Sequence, residues 1–298
     1  MITKWSPKMQ NFGGLIFTIF KEKGELSMII DSHVHIGGST VGFHMTSSMV
    51  LESMNKYHID ISIVSNGDAV EFDHNQNPIP KHLQVNQNDA LKQVIQFARS
   101  NPKRIYCGFW CKPFGETISS ETKQLIKKNR DVVVALKVHP LHSNLAFDHE
   151  KMIPYLELAK EFSLPVIIHT GKGYNDSPQR VKNMALQYPM LTFIMAHMGL
   201  GTDNQLALSV MEEAPNLYAD TTWVPVSTTL EAIKKYGSQR VVFGSDNPID
   251  GVDTYFCNPK GEPSLYQEYF NSLKGQLSIE DYENLMWRTA KNIFQINT

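Results

Sequence analysis

Two histidines that are separated by a single residue, His33 and His35, follow an apolar run near the start of the chain, in MIIDSHVH. Because successive side chains of a β-strand point to opposite faces, imidazoles at this spacing point the same way. Two such imidazoles can bind one metal ion without distortion of the backbone. Taken alone, the pair is a weak indication, since histidines at this spacing also occur by chance.

Three further histidines each end a predicted strand, in LKVHP, VIIHTG and IMAHMG. They are His139, His169 and His197, and a carboxylate, Asp246, follows the last predicted strand in FGSDNP. A buried histidine held by one hydrogen bond is the ordinary explanation for any single one of them. Five of the 11 histidines lie at or just beyond strand ends, together with one carboxylate, and this grouping predicts a metal site.

The elements that must position these residues alternate between short β-branched runs and helical stretches. The clearest helices are predicted at 88–100, 151–162 and 279–294, with Ser278 as the N-cap of the last. Eight strands are predicted, at 28–33, 61–65, 104–110, 132–139, 165–169, 191–197, 217–220 and 240–245. This alternation is typical of an α/β protein, either a closed (β/α)8 TIM barrel or a doubly wound sheet.

The positions of the candidate metal ligands favour the barrel. In a barrel, side chains at the C-terminal ends of all strands meet at one mouth, which would bring His33 and Asp246 together from distant parts of the chain. No G-x-G-x-x-G follows the first strand, as a dinucleotide-binding doubly wound fold would need. We therefore predict a single barrel domain over 28–298. Residues 1–27 are predicted to be an N-terminal extension that covers one end of the fold, or a consequence of the choice between Met1 and Met28 as start.

Composition argues against several function classes. The 28 Lys and Arg against 30 Asp and Glu give a net charge of −2, which argues against binding to nucleic acid or to an anionic membrane. With 42% hydrophobic and 19% charged residues, the chain can bury a large core. Three cysteines cannot form a disulfide framework, and the apolar run at 13–20 is too short to span a membrane. We expect a cytoplasmic protein that acts on a small molecule.

In its ordered motifs DSHVH, LKVHP, IIHTG, MAHMG and FGSDNP, the chain resembles the amidohydrolase superfamily. It is most similar to the amidohydrolase-related branch, which includes both hydrolases and decarboxylases. The resemblance implies a divalent ion, with zinc first and manganese, iron or cobalt as alternatives. It also implies that the ligands are His33, His35, His169 and Asp246, and that Asp246 accepts a proton from the metal-bound water.

By the same resemblance, two residues decide whether one or two ions are bound. His197 binds the second ion in two-metal members, and in one-metal members it orients or protonates the reacting group. Lys137, on the fourth strand, is carboxylated in several two-metal members and bridges the ions. The alternative is an ordinary ammonium at Lys137 that pairs with a carboxylate, and this is the state that we expect.

Candidate substrate-binding residues surround the same mouth. His139 shares a strand face with Lys137, and Trp223, after the seventh strand, can wall the pocket or pack against the rim. Three residues in or near the loop after strand five can bind a substrate carboxylate, with ordinary solvated side chains as the alternative: Lys172, Tyr174 and Arg180. The run HTGKGY lacks the spacing of a phosphate-binding loop.

Two connections, 66–87 and 247–277, are longer than usual and are predicted as lids over the mouth. The second contains aromatic residues that can cover an organic substrate or pack on a neighbouring subunit: Tyr255, Phe256 and Tyr266. Dimers are common in the related barrels, so a homodimer is an expectation from the resemblance alone.

The first functional hypothesis is a metal-dependent hydrolase of a small amide, lactone or ester-like bond. Metal-activated water attacks the carbonyl, Asp246 moves the proton, and His197 stabilises the oxyanion or holds a second ion. The alternative is a metal-dependent non-oxidative decarboxylase, a carbon–carbon lyase, of an unsaturated or aromatic carboxylic acid. The K-x-H-P motif of strand four favours hydrolysis by resemblance. A binding protein that kept only the fold would have a broken ligand set, and here the set is complete.

Overall fold

Eight parallel strands form one sheet in the order in which they occur along the chain, as the sequence predicts. The computed structural model describes residues 28–249, 251–253 and 264–297. The strands are β1 (Ile30–Ile36), β2 (Ile61–Asn66), β3 (Ile105–Trp110), β4 (Val133–Val138), β5 (Val166–Gly171), β6 (Phe193–Leu200), β7 (Leu217–Asp220) and β8 (Val241–Val242).

The segment that follows β8 closes the sheet against β1. Ser32 donates its backbone N–H to the carbonyl of Phe243 at 2.9 Å, and Asp246 donates to the carbonyl of His33 at 2.8 Å. His35 donates to the carbonyl of Asn247 at 2.9 Å. Regular strand geometry ends at Val242, earlier than predicted, but these bonds continue the ladder and complete a (β/α)8 TIM barrel.

Helices follow the strands and cover the outside of the barrel. Ser278 caps the last helical region as predicted, since its hydroxyl accepts the backbone N–H of Asp281 at 3.1 Å. Two π-helical turns, Glu268–Leu273 and Asn284–Arg288, lie beside regular helix. The α-helices are α1 (Ser47–Tyr57), α2 (Gln87–Ser100), α3 (Ser120–Lys128), α4 (Pro140–Ser143), α5 (Ile153–Phe162), α6 (Pro178–Gln187), α7 (Gln205–Glu213), α8 (Val226–Tyr236), α9 (Leu265–Gln267), α10 (Ile279–Glu283) and α11 (Thr289–Ile293).

The apolar core has an inner and an outer layer. The larger, outer layer lies between strands and helices, and the inner one fills the barrel with β-branched side chains such as Ile63, Val134 and Ile194. Phe294, just after α11, packs in the inner layer with Ile30 from the start of β1. The C-terminal helix therefore closes the N-terminal end of the barrel, which leaves the opposite end open for a site.

The predicted extension, 1–27, lies outside the described residues. In the described part of the chain, no helix combines the length and apolar character that crossing a membrane requires.

Candidate active site

Three side chains from the two joined ends of the barrel sheet point at one place. Nε2 of His33 and Nε2 of His35 are 3.0 Å apart, and Oδ1 of Asp246 is 3.3 and 3.1 Å from them. All three residues are buried, and each offers one ligand atom within 4.8 Å of the others. Two imidazoles and a carboxylate at this spacing fit a divalent ion such as zinc or manganese.

The outer nitrogens of both imidazoles are held by neighbouring strands. Nδ1 of His33 lies 2.8 Å from Oδ2 of Asp220 at the end of β7, and Nδ1 of His35 lies 2.9 Å from the hydroxyl of Ser65 on β2. An ionised carboxylate only accepts hydrogen bonds, so Nδ1 of His33 carries the proton and Nε2 keeps its lone pair. The barrel thus presents His33 in the tautomer that a metal ion needs.

Lys137 enters the site from β4, next to the His33 imidazole. Its Nζ is 2.5 Å from Nε2 of His33, and the side chain is fully buried. Burial lowers the pKa of Lys137 to about 8, although the carboxylates of Asp246 and Asp220 oppose that shift. The amine therefore approaches the same lone pair that would bind a metal ion.

His197 lies where β6 turns out of the barrel. Its Nδ1 is 3.2 Å from the carbonyl of Thr222, which can only accept, so Nδ1 carries the proton and Nε2 has the lone pair. Burial, with the nearby His169 imidazole, holds the pKa of His197 well below its ordinary value. The residue has a φ of 66°, a left-handed conformation that is costly outside glycine and is typical of functional sites.

Asp246 is the acid of the site and adopts the same strained backbone, with a φ of 66°. Trp223 donates its indole N–H to Oδ2 of Asp246 at 3.0 Å, while Oδ1 faces the two histidines of β1. Burial alone would raise the pKa of Asp246, but the surrounding imidazoles outweigh it and hold that pKa well below the ordinary value. Asp246 is therefore a carboxylate in the resting site.

His169, the fourth ligand implied by the resemblance, lines the same cavity but lies outside the close group of His33, His35 and Asp246. Its ring is stacked on His139 at a centroid distance of 3.8 Å and lies 4.7 Å from the ring of His197. Its Nε2 lies 3.6 Å from Oδ2 of Asp176, a residue of the loop after β5. The compact group thus contains three of the four implied ligands.

A cavity of about 430 Å³ lies above these residues at the C-terminal ends of the strands. Its floor contains every proposed metal ligand together with Lys137 and His197. His139 and Trp223 also line it, and contact between them and a substrate stays a prediction. The remaining walls are mainly apolar and aromatic: Val41, Phe43, Val70, Trp110, Leu141 and Leu200.

Two further histidines, His74 and His142, line the same cavity, and neither was predicted from sequence as a site residue. Nδ1 of His142 is 2.8 Å from the carbonyl of Phe72, so it carries the proton and leaves Nε2 as an acceptor. Burial lowers the pKa of His142 to about 4. The signal available in the sequence was its spacing, because His142 lies three residues after His139, in the short helix α4 that follows β4.

Three residues of the strand-five region that were predicted to bind a substrate carboxylate lie outside the cavity lining. Arg180 forms an ion pair with Asp148 at 3.0 Å, and its guanidinium lies 3.9 Å from the ring centre of Tyr174. Tyr174 and Lys172 are exposed, and none of the three lines the cavity. Binding of a substrate carboxylate by these residues therefore stays a prediction, which their positions outside the cavity lining do not support.

The predicted lids have different outcomes. The 66–87 connection contributes Gly67, Val70 and His74 to the cavity lining. From the 247–277 connection, Ile249 lines the cavity. Tyr266 is fully buried and donates its hydroxyl to Asp31 at 3.1 Å, so it supports the barrel and does not cover a substrate. The other two aromatic candidates lie outside the described residues: Tyr255 and Phe256.

Comparisons with known proteins bear on the family and the fold of the chain. The sequence model of the amidohydrolase family matches residues 30–296. No curated protein sequence matches the chain.

Similar solved structures share the fold at low sequence identity. One is 5-carboxyvanillate decarboxylase from Sphingomonas paucimobilis, at 13% identity and a TM-score of 0.63, covering 91% of this chain and 100% of that one. Another is a dihydroxybenzoic acid decarboxylase from a Polaromonas species with bound manganese, at 15% identity and a TM-score of 0.59, covering 92% and 98%. A third is 4-oxalomesaconate hydratase from Rhodopseudomonas palustris, at 14% identity and a TM-score of 0.62, covering 90% and 96%.

Proposed function

The chain belongs to the amidohydrolase family, and on this basis we propose that it is a metal-dependent non-oxidative decarboxylase of a small aromatic or unsaturated carboxylic acid. The sequence alone favoured hydrolysis, through its strand-four motif. Among the similar solved structures, several are decarboxylases of hydroxylated benzoic acids, and these support the alternative reading.

The observation that carries the proposal is the combination of a His–His–Asp floor with apolar and aromatic walls in one cavity. Trp110 and Phe43 offer flat surfaces, and Val70 and Leu141 add aliphatic area. Such walls suit a planar organic ring, which gains from burial of its apolar faces. The floor suits the charged end of the same molecule, since the polar groups are concentrated there.

His33, His35 and Asp246, with His169 as the fourth candidate, would hold the ion. A bound divalent ion supplies positive charge that binds and polarises a substrate oxygen. Higher in the cavity, the Nε2 acceptor of His142 can take a hydrogen bond from a hydroxyl or N–H of the substrate. The apolar walls exclude water, which strengthens the electrostatic interactions at the floor.

Decarboxylation replaces a C–COO⁻ bond with a C–H bond, so one proton must reach the ring carbon for each CO2 released. Asp246 is ionised in the resting site, so it must first take a proton from a substrate hydroxyl or from water. It can then deliver that proton to carbon, and solvent restores the proton that was borrowed. His197 is a second carrier, since its Nε2 lone pair can accept a proton and return it.

Hydrolysis of a small amide, lactone or ester remains the second candidate, and one observation favours it. Asp246 is an anion whose outer oxygen is held by the indole of Trp223. A fixed carboxylate beside a metal site is suited to act as general base toward a water molecule. The same residues therefore serve either reaction, and the substrate decides.

We also propose one ion per chain, with Lys137 uncarboxylated. One group of three ligand residues is present in the described ranges, which supports a single site. The amine of Lys137, with its pKa lowered to about 8, can lose its proton more readily than a surface lysine when a dication occupies the site. Zinc and manganese both suit the donor set, and two of the similar structures contain manganese.

The test uses protein purified without chelator and supplied with Mn²⁺ or Zn²⁺. Release of CO2 from 2,6-dihydroxybenzoate and 5-carboxyvanillate is measured beside hydrolysis of a panel of lactones and simple amides. The proposal expects the wild type to release CO2 and to hydrolyse none of the panel. The matched His35→Asn variant should release no CO2. Hydrolysis without CO2 release from either acid would reverse the assignment in favour of the second candidate.

A further inference from the structure

The loop after β5 contains a buried carboxylate, Asp176, that the proposed chemistry does not use. We propose that Asp176 is a positioning residue for His169: it accepts the Nε2–H of that imidazole and so prepares the other ring nitrogen, Nδ1, to bind the metal ion. This inference rests on the proposed metal site. It assigns a role to the HTGKGYND segment, whose glycine spacing does not match a phosphate-binding loop.

The first observation is that Asp176 is incompletely satisfied. The residue is 4% exposed, and its Oδ1 has no hydrogen-bond partner among the described residues. A buried carboxylate with an unpaired oxygen is costly, and natural proteins keep such groups mainly where they serve a purpose. The basic group next to Asp176 is His169, whose Nε2 is 3.6 Å from Oδ2.

The second observation is that the loop leaves room for this carboxylate. A Cβ placed at Gly171 would lie 2.5 Å from Oδ2 of Asp176, and one placed at Gly173 would lie 2.5 Å from Oδ1. Atoms do not approach this closely without a shift, so a side chain at either glycine would displace the carboxylate of Asp176. The backbone N–H of Gly171 also donates to the carbonyl of Asp176 at 2.9 Å, which fixes the wrap.

The third observation is the position of His169 between Asp176 and the cavity. His169 lines the cavity and Asp176 does not, so the nitrogen that faces Asp176 is directed away from the substrate. A carboxylate that accepts Nε2–H fixes the tautomer with its lone pair on Nδ1. A closure from 3.6 Å to about 2.8 Å would complete a charge-assisted hydrogen bond and set the ring orientation.

The test measures Co²⁺ binding to chelator-treated protein through the visible absorption of the ion, together with the unfolding temperature of the metal-free chain. Asp176→Ala is expected to bind Co²⁺ about 10- to 100-fold more weakly and to alter the visible spectrum. Asp176→Asn keeps an oxygen acceptor and should fall between this variant and the wild type. The metal-free Asp176→Ala protein should unfold at the wild-type temperature or above it, because an unpaired buried oxygen has been removed.

Asp148→Ala is the matched control, since Asp148 pairs with Arg180 from the same region and lies outside the cavity lining. It should lower the unfolding temperature and leave Co²⁺ affinity unchanged, which is the opposite pattern. Gly173→Ala decides the matter if Asp176→Ala does not fold, because it displaces the carboxylate and retains its charge. Lower affinity in Gly173→Ala supports the inference.

Wild-type Co²⁺ affinity in Asp176→Ala, or in Gly173→Ala if Asp176→Ala does not fold, would overturn the role of Asp176 and leave the proposed function standing. A wild-type chain that binds no Co²⁺ would instead overturn the proposed metal site, and this inference with it. The two failures are therefore distinguishable in one set of titrations.

Discussion

Asp220 and His33 are 187 positions apart in the chain, yet Oδ2 of Asp220 lies 2.8 Å from Nδ1 of His33. The contact joins the end of β7 to β1 across the mouth of the barrel. The other oxygen, Oδ1, accepts the backbone N–H groups of His197 and Thr222 at 2.9 and 3.0 Å. One buried carboxylate thus fixes both the tautomer of a proposed ligand and the turn that carries His197.

This arrangement predicts a specific effect of Asp220→Asn. The two backbone N–H groups will retain the amide oxygen, which turns the amide NH2 toward Nδ1 of His33. That nitrogen must then accept, so the proton moves to Nε2 and blocks metal binding there. We expect metal affinity about 10- to 100-fold weaker, measured by Mn²⁺ titration of chelator-treated protein. The exposed Asp131→Asn serves as control, and equal affinities in both variants would exclude this role.

Asp246→Asn tests the proton carrier. The substitution keeps the shape of the side chain and the proximity of Trp223, so the fold should persist. Turnover of whichever substrate the wild type accepts should fall by about 10² or more, because the amide cannot take up and return a proton. Turnover is compared at equal metal content, since Asp246 is also a proposed ligand. Turnover close to that of the wild type would remove Asp246 as the proton carrier.

The buried His142 predicts a pH dependence of stability in the metal-free protein. Its pKa is lowered to about 4 in the folded state, against about 6.5 in the unfolded chain, so the unfolded state binds more protons between these values. The contribution of His142 to stability is therefore fully present above about pH 6.5 and is lost as pH falls toward 4. Urea unfolding should show a decrease on the order of 1–2 kcal/mol from this residue between pH 7 and pH 5.

His142→Gln is the comparison for that measurement, because it cannot titrate and can still donate to the carbonyl of Phe72. The variant should lose less stability than the wild type over the same pH range. The other buried imidazoles, including His139 and His197, have lowered pKa values and will leave a residual slope. Identical slopes in the two proteins would show that His142 does not carry this dependence.

Phe294→Ala tests how the barrel is closed at the end opposite the site. Phe294 is buried in the inner core with Ile30, so its truncation removes apolar contacts and leaves a cavity in that core. We expect a loss of about 3–5 kcal/mol in the free energy of unfolding. Ile279→Ala, at a position that is 65% exposed, should change it by less than about 0.5 kcal/mol. A small effect at Phe294 would indicate that the inner core does not depend on it.

The barrel was predictable from sequence because eight short, mostly apolar runs alternate with helical stretches, and several of these runs end in a histidine. The positions of His33, His169 and His197 at strand ends therefore predict that they share one end of the barrel, and all three line the cavity there. The closure after β8 was harder to place, since residues 243–247 pair with β1 and have no regular strand of their own beyond Val242. That pairing depends on the barrel as a whole and leaves no local pattern.

The remaining parts of the site depend on contacts between distant loops. Asp220 ends the predicted strand LYAD, so an acid at a strand end was available as a signal, but its partner on β1 was not. Arg180 was assigned to substrate because it is cationic and follows strand five, whereas its partner, Asp148, comes from a different loop. Tyr266 looked like a lid residue by sequence position, and its hydroxyl is instead buried against Asp31.

The central claim is that His33, His35 and Asp246 bind one divalent ion on which activity depends. The most direct test is the number of metal ions bound per chain in protein prepared without chelator, measured by elemental analysis for the wild type and for His35→Asn. The account predicts a ratio near one for the wild type and near zero for the variant. A wild-type ratio near zero, or equal ratios in both proteins, would contradict it, and a ratio near two would contradict the uncarboxylated state of Lys137.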